Sequence, residues 1–439
     1  MKRYPTSKLI LFSLINLPLS MLMSPTAAIL PNYYLEYTAI SASALATVML
    51  LMRLFDAVTD PLIGLISDRL GKRKPLMAVG VLMLLASVYP LFQPPSDVGF
   101  LYLLLWYLTS SLGWTLIEIP HSTLTAALSD DYHERNRVVV WRQMMGFIGG
   151  ILFMTMPMLL VGVHKFSPDI FRAIAWVIII GLPTTLLLLW RITPETHCNH
   201  QRPHLMDLWH LWHQLPILRH FMVTQVLFGL ATGGISGMFV IYANHYLNLG
   251  EDIAMIGMPM PIMTVLSLPI WTQVLKRIEK HHGLGISALF LIISLLFIST
   301  IEPGEHALRQ MQYGMAAIGC AVGLSSLVLP SMLADLLDYD RWRNRRERGA
   351  TLFAIQALVF KLNQGVGGAA ALGLAVLYGF NGKEVAAADG MFGLQLGFLG
   401  WPILLLLPTL ALIKNYRLGQ QAQQALIRRL NRRKSTKSA

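Results

Sequence analysis

Two acidic residues, Asp56 and Asp60, stand four positions apart in an otherwise apolar stretch. On a helix that spacing brings both carboxylates to one face. Two carboxylates held close together repel unless a cation or a proton sits between them. Such a pair can bind sodium through its oxygens, or it can trade a proton. Thr59 and Thr115 can add neutral hydroxyl oxygens, and Pro61 leaves the carbonyl of Ala57 without its usual N–H partner. Arg53, one turn before Asp56, offers a competing use as a static ion pair, but such a pair would not need a second carboxylate.

Glu118 and Lys361 are also charges within apolar runs. A charge inside a bilayer costs about 2.5–3.5 kcal/mol even on the lenient insertion scale, so each one implies a use. Arg53, Asp56, Asp60, Glu118 and Lys361 together carry one excess negative charge, which one monovalent cation or one proton would neutralise. Glu118, in Glu118-Ile-Pro-His-Ser122, is expected to bind solute or cation, and His121 to be a satisfied core histidine. Lys361 lies too deep in its run to reach the interface. Trp106, Tyr107 and Trp114 are spaced to line one helix, where an aromatic face can stack on a sugar ring. No nucleophile–base constellation or metal motif points to an enzyme, and no cofactor is implied beyond a coupling cation, sodium or proton.

The elements that must hold these residues follow from composition. Of 439 residues, 54% are hydrophobic and only 13% charged, where a soluble protein would carry about 25%. Continuously apolar runs of 18 or more residues recur, each long enough to cross a hydrocarbon core of about 30 Å as a helix. Lipid leaves backbone groups no other partners, and the absence of alternation argues against a barrel. Helices are expected at 9–35, 39–66, 76–92, 99–127, 144–163 and 171–190, then at 218–246, 252–276, 284–301, 307–336, 350–379 and 390–413. The fold class is therefore an all-α membrane protein of twelve transmembrane helices in two six-helix bundles. The bundles are expected at 1–190 and 218–413, with a central loop at 191–217 and a basic tail at 414–439.

Charge sets the orientation. Of the 35 lysines and arginines, 29 fall in the two termini and in the loops leaving even-numbered helices, counting Arg142 as a loop-boundary residue. Positive residues stay inside, so both termini are expected in the cytoplasm, in a multi-pass protein of the cell inner membrane. The +12 net charge is thus topological and does not indicate nucleic acid. His197, His200, His204, His210 and His213 read as a solvated linker, and Cys198 and Cys320 are not expected to pair. In the tail, Leu418, Ala422, Ala425, Leu426 and Leu430 share a helix face that could lie on the anionic inner leaflet; a frayed basic tail is the alternative.

The segment Gly64-Leu-Ile-Ser-Asp68-Arg69-Leu-Gly71-Lys72-Arg73-Lys74 joins the second and third helices. Its glycines permit a tight turn, and Asp68 can cap a helix end and pair with a basic neighbour, which makes this loop a gating element. Acidic-then-basic runs at Leu128–Arg135 and Leu333–Arg341 echo each other in the two halves. The loop resembles the signature loop of the major facilitator superfamily. Arg53-Leu-Phe-Asp56-Ala-Val-Thr-Asp60-Pro-Leu-Ile-Gly64 resembles the glycoside–pentoside–hexuronide:cation symporter family, as do Glu118-Ile-Pro120, Glu134-Arg135 with Trp141-Arg142, Asp335 to Tyr339, and Gln356 to Lys361.

That resemblance implies a secondary transporter working by alternating access. It implies a cation site at Asp56 and Asp60 helped by Thr59 and Thr115, and solute contacts at Glu118 and Arg142 with Lys361 nearby. Trp114 and Ser122 complete the expected solute lining, Ser122 standing where a family member carries a stacking tryptophan. Gly64, Asp68, Arg69, Gly71, Lys72 and Arg73 form the expected gating loop. The solute is expected to be a sugar or glycoside. Relatives that carry lysophospholipids, together with an apolar first helix, make a lysolipid or other amphipathic solute the alternative. Expected partners are the solute, a monovalent cation and the lipid bilayer, with no nucleic acid, and the protein is expected to be a monomer.

Overall fold

A computed structural model describes residues 5–70, 73–128, 132–161, 167–193, 215–249, 252–344, 348–380, 388–416 and 418–438. Among them every regular element is helical. The first span is broken into α1 (Thr6–Ser13), α2 (Asn16–Ala28) and α3 (Leu30–Tyr37). Pro18 has no N–H to offer Leu14, whose carbonyl is met instead by the N–H of Leu17 in a tighter turn. Then follow α4 (Ala42–Leu70), α5 (Arg73–Phe92), α6 (Phe100–Ala127), α7 (Tyr132–Val161) and α8 (Pro168–Ile192).

The second set comprises α9 (Pro216–His245), α10 (Ile253–Gly257), α11 (Pro259–Val274), α12 (Lys280–Ser299), α13 (Ala307–Asn344) and α14 (Gly349–Leu377). The last span runs through α15 (Ala388–Gln395), a π turn (Leu396–Gly400) and α16 (Trp401–Lys414). The π turn ends two residues before Pro402, and the N–H of Trp401 reaches back to the carbonyl of Leu396. The tail forms α17 (Gln420–Ser438).

Among the described residues, ten helical segments are long and apolar enough to cross a membrane. The two further long helices are α4, which carries Arg53, Asp56 and Asp60, and α14, which carries Lys361, Asn363 and Gln364. Polar content lowers their apolar signal without shortening them, and with them the described residues hold twelve spans. Two ends differ from expectation. The fifth span begins at Tyr132, so Arg142 lies ten residues inside α7 rather than at a boundary. The tenth runs on to Asn344. In both, a polar helical extension continues past the apolar stretch, which hydropathy alone cannot see.

Contacts divide the chain into two compact units, Met1–Leu205 with Arg343–Leu358, and Met206–Trp342 with Val359–Ala439. In the first unit α5 and α6 approach closely, because a Cβ at Gly80 would fall 2.7 Å from the carbonyl oxygen of Gly113. Small residues at such crossings are how membrane helices gain packing without a hydrophobic drive. Around them lies a core of Leu84, Val88, Phe92, Phe153, Phe171 and Ile178. In the second unit, buried Lys280 and Asp335 pair at 2.6 Å, and Asn363 donates to the carbonyl of Gln225 at 3.3 Å.

The central histidine-rich stretch and Cys198 lie outside the described residues. Within the described residues the tail is helical and its first half is docked. Gln423 is buried and donates to Asp338 at 2.9 Å, Leu426 is buried, and the Arg429 guanidinium sits 5.8 Å above the Trp342 ring.

Candidate functional site

The acidic pair sits on α4 facing α6. Asp56 and Asp60 are both buried, at 2% and 0% exposure. Ser111 Oγ donates to Asp56 Oδ1 at 2.5 Å, and Thr115 Oγ1 donates to Asp60 Oδ1 at 2.9 Å. Each bond links residues 55 positions apart, so the two helices run parallel in a fixed register. Two rungs, each a carboxylate met by a hydroxyl, are stacked one helical turn apart. Arg53 approaches Asp56 at 3.8 Å and stays 32% exposed along its side chain. This long contact is weak beside the hydroxyl bond, since hydrogen bonds lose strength steeply with distance. Thr59 uses its hydroxyl to back-bond the carbonyl of Phe55 at 2.9 Å, which leaves its oxygen lone pairs able to accept.

One to two turns along the same face of α6, Glu118 meets Arg142 of α7 in an ion pair. Ser122 Oγ adds a donor to Glu118 Oε1 at 3.1 Å. Residues 111, 115, 118 and 122 follow the three-and-four spacing of a single helix face. Arg142 is itself held from two sides. Its Nε donates to His121 Nδ1 at 3.3 Å, and its carbonyl accepts from Asn16 Nδ2 at 3.3 Å. His121 Nε2 lies 3.1 Å from the carbonyl oxygen of Phe12.

These contacts fix the imidazole. A guanidinium only donates and a carbonyl only accepts, so Nδ1 is the acceptor and Nε2 carries the hydrogen of a neutral ring. His121 is fully buried and its ring lies 4.6 Å from that of Phe12. It is a satisfied core histidine, as expected, and it also positions Arg142. The Glu118 side chain keeps 20% exposure, so this pair remains reachable where the acidic rungs are not. Trp114 lies on α6, partly buried against the core. Lys361 belongs to the second unit, buried on α14 at 6% exposure.

The expected loop Gly64–Lys74 is mostly helix: Gly64 to Leu70 are the last turns of α4, and Arg73 and Lys74 open α5, and both stretches work on helix ends. Asp68 accepts from the N–H groups of Ala350 and Thr351 at 2.9 and 2.8 Å and from the Thr351 hydroxyl at 2.6 Å. These are first-turn donors of α14, which have no partner inside their own helix and sit at its positive end. Lys74 donates to the carbonyls of Trp190 and Thr193 at 3.1 and 2.7 Å, at the negative end of α8. Gly64 lets α4 touch α14, since a Cβ there would lie 2.6 Å from Ala354 Cβ and 3.0 Å from the carbonyl oxygen of Ala350. Arg69 is exposed and Arg73 buried, while Gly71 and Lys72 lie outside the described residues.

The sequence passes over Ser111 and Asn16, which complete the rung at Asp56 and the support of Arg142. Ser111 stands four residues before Thr115, as Asp56 stands four before Asp60, and that repeated spacing is the available signal. Asn16 carries none, because nothing local marks its partner on α7.

The family model described as MFS/sugar transport protein matches residues 11–420. The chain belongs to that family. Within the family it is similar to the "Uncharacterized symporter YnaJ" of Bacillus subtilis, at 22% identity over 91% of this chain and 89% of that protein. It is also similar to the "Putative glycoside/cation symporter YagG" of Escherichia coli, at 22% over 92% and 90%. Among solved structures it resembles the major facilitator superfamily transporter FucP, with a TM-score of 0.66 and 13% identity over 95% of this chain and 100% of that one. As a family member the protein is a multi-pass membrane transporter and not an enzyme.

Proposed function

We propose that this transporter carries a sugar or glycoside in symport with a monovalent cation. The observation that carries the proposal is the pair of buried rungs, Asp56 with Ser111 and Asp60 with Thr115. A structural hydrogen bond between helices needs no carboxylate, so two stacked in a membrane, at about 2.5–3.5 kcal/mol each, imply a use beyond packing. We read that use as sodium or a proton at Asp56 and Asp60, aided by Thr59 and Thr115. The symporter names of the relatives support the same reading.

Solute would bind at Glu118 and Arg142, with Ser122, Trp114 and Lys361 as further contacts. Sugar hydroxyls both donate and accept, so a carboxylate beside a guanidinium suits them. The cation and solute sites lie on one face of α6, so filling one can bias the other, and such coupling is reciprocal in binding. Gly64, Asp68, Arg69, Gly71, Lys72 and Arg73 would gate the exchange. We place the bundles at 1–190 and 218–413, the protein in the cell inner membrane as a monomer, and both termini in the cytoplasm, on the weight of the basic loops.

The test is counterflow in proteoliposomes with a panel of glycosides and lysophospholipids, run with and without sodium and across a range of pH. A glycoside should exchange, with a rate raised by sodium or by protons. Asp60→Asn should abolish the stimulation while the purified protein keeps its elution profile. Exchange of lysolipid alone, or stimulation unchanged in Asp60→Asn, refutes the proposal.

A further inference from the structure

At the start of α12, in the second unit, Glu279, His281 and His282 bring one ligand atom each to within 4.8 Å of the others. The local backbone explains the convergence. Glu279 is the N-cap of α12 in extended conformation, and its side chain makes no capping hydrogen bond. His282 is three residues on, and N-cap and third-position side chains share one face of a helix start. His281 Nδ1 lies 3.3 Å from Glu279 Oε2. For metal–ligand bonds of about 2.0–2.1 Å, tetrahedral geometry sets neighbouring ligand atoms about 3.3–3.4 Å apart.

Lys280, between these residues in sequence, is occupied elsewhere by its buried pair with Asp335 and adds no free positive charge. His281 is buried and His282 exposed, so one ligand is held by packing and another is open to solvent. The chain entering the tail closes on the same point, because a Cβ at Gly419 would lie 2.7 Å from both carboxylate oxygens of Glu279. The Tyr416 ring stands 5.7 Å from that of His281.

We propose that Glu279, His281 and His282 form a binding site for a divalent transition ion such as Zn2+ or Co2+, with water in the remaining position. Two imidazoles and one carboxylate favour these ions over magnesium and calcium, which want oxygen alone. The ion would fasten the start of α12 beside the segment leading into α17.

The experiment is titration of tag-free, detergent-purified full-length protein with Co2+, followed by its visible absorption and by calorimetry. His197, His200, His204, His210 and His213 are replaced by Asn in this background, so that the central stretch cannot contribute. One Co2+ per chain should bind with a tetrahedral spectrum, be displaced by Zn2+, and persist in excess Mg2+. His282→Ala and, separately, Glu279→Gln should each weaken binding more than about a hundredfold, exceeding the loss of a supporting partner. His282→Cys should restore it with a thiolate charge-transfer band. Binding within about threefold of the parent in both weakening variants, displacement by Mg2+, or no bound Co2+ overturns the proposal.

Discussion

Asp68 offers the cleanest energetic test. Its carboxylate is 6% exposed and accepts three bonds of 2.6–2.9 Å from the first turn of α14. A hydrogen bond to a charged acceptor contributes about 1.5–3 kcal/mol, against about 1 for a neutral one. Hydrogen bonds between membrane helices average only about 0.6 kcal/mol in double-mutant cycles, with a maximum near 1.7. The Thr351 hydroxyl bond should lie toward the upper end, because its acceptor is a buried carboxyl already oriented by two backbone donors. The cycle is Asp68→Ala, Thr351→Val and the double variant, each followed by reversible unfolding in mixed micelles. Asp68→Ala alone should cost about 2–5 kcal/mol, as it removes a helix cap and orphans two buried N–H groups. The coupling energy between the two positions should be about 1–2 kcal/mol. A coupling at or below about 0.6 kcal/mol would show that the carboxylate acts no differently from a neutral acceptor, and the reasoning would fail.

Gly64→Ala should lower thermal stability by about 1–3 kcal/mol and slow solute exchange, since its methyl would press on Ala354 and the backbone of α14; a melt unchanged from the parent would count against that close approach. Lys280→Met should cost about 3–5 kcal/mol by breaking the buried pair with Asp335, and the Lys280→Met/Asp335→Leu double variant should recover most of it, both read from unfolding curves. His121→Phe keeps a ring against Phe12 but removes the acceptor for Arg142, so solute affinity should fall roughly five- to 150-fold for a loss of about 1–3 kcal/mol. Direct binding to purified protein checks this, and an unchanged dissociation constant would remove His121 from the support of Arg142.

The spans and the acidic face were legible because apolar length and helical spacing are local properties. Asp56, Asp60, Thr115, Glu118 and Ser122 could be placed on their faces by counting residues. What counting could not supply was the partner. Ser111 is an ordinary serine until α4 is laid beside α6, and Asn16 matters only through the backbone of α7. Hydropathy sets Arg142 near a boundary because Tyr132 to Arg137 is polar, although a helix leaving the apolar slab can continue with its polar side in water. The tail illustrates the same gap. Its amphipathic face was visible, but the docking of Gln423 on Asp338 depends on tertiary contact that no local pattern encodes.

The parallel register of α4 and α6 restricts how these helices can move. A slip of one turn, about 6 Å, would carry Asp60 past Ser111 and strand Asp56 against Tyr107, while Thr115 would face Gly64. A slip the other way would set Asp60 beside Ile119. Either displacement leaves one carboxylate facing an apolar or mismatched neighbour in oil. Piston motion between the two is therefore penalised, whereas tilting them together preserves both rungs. Any conformational cycle of this chain should carry α4 and α6 as a single rigid strut.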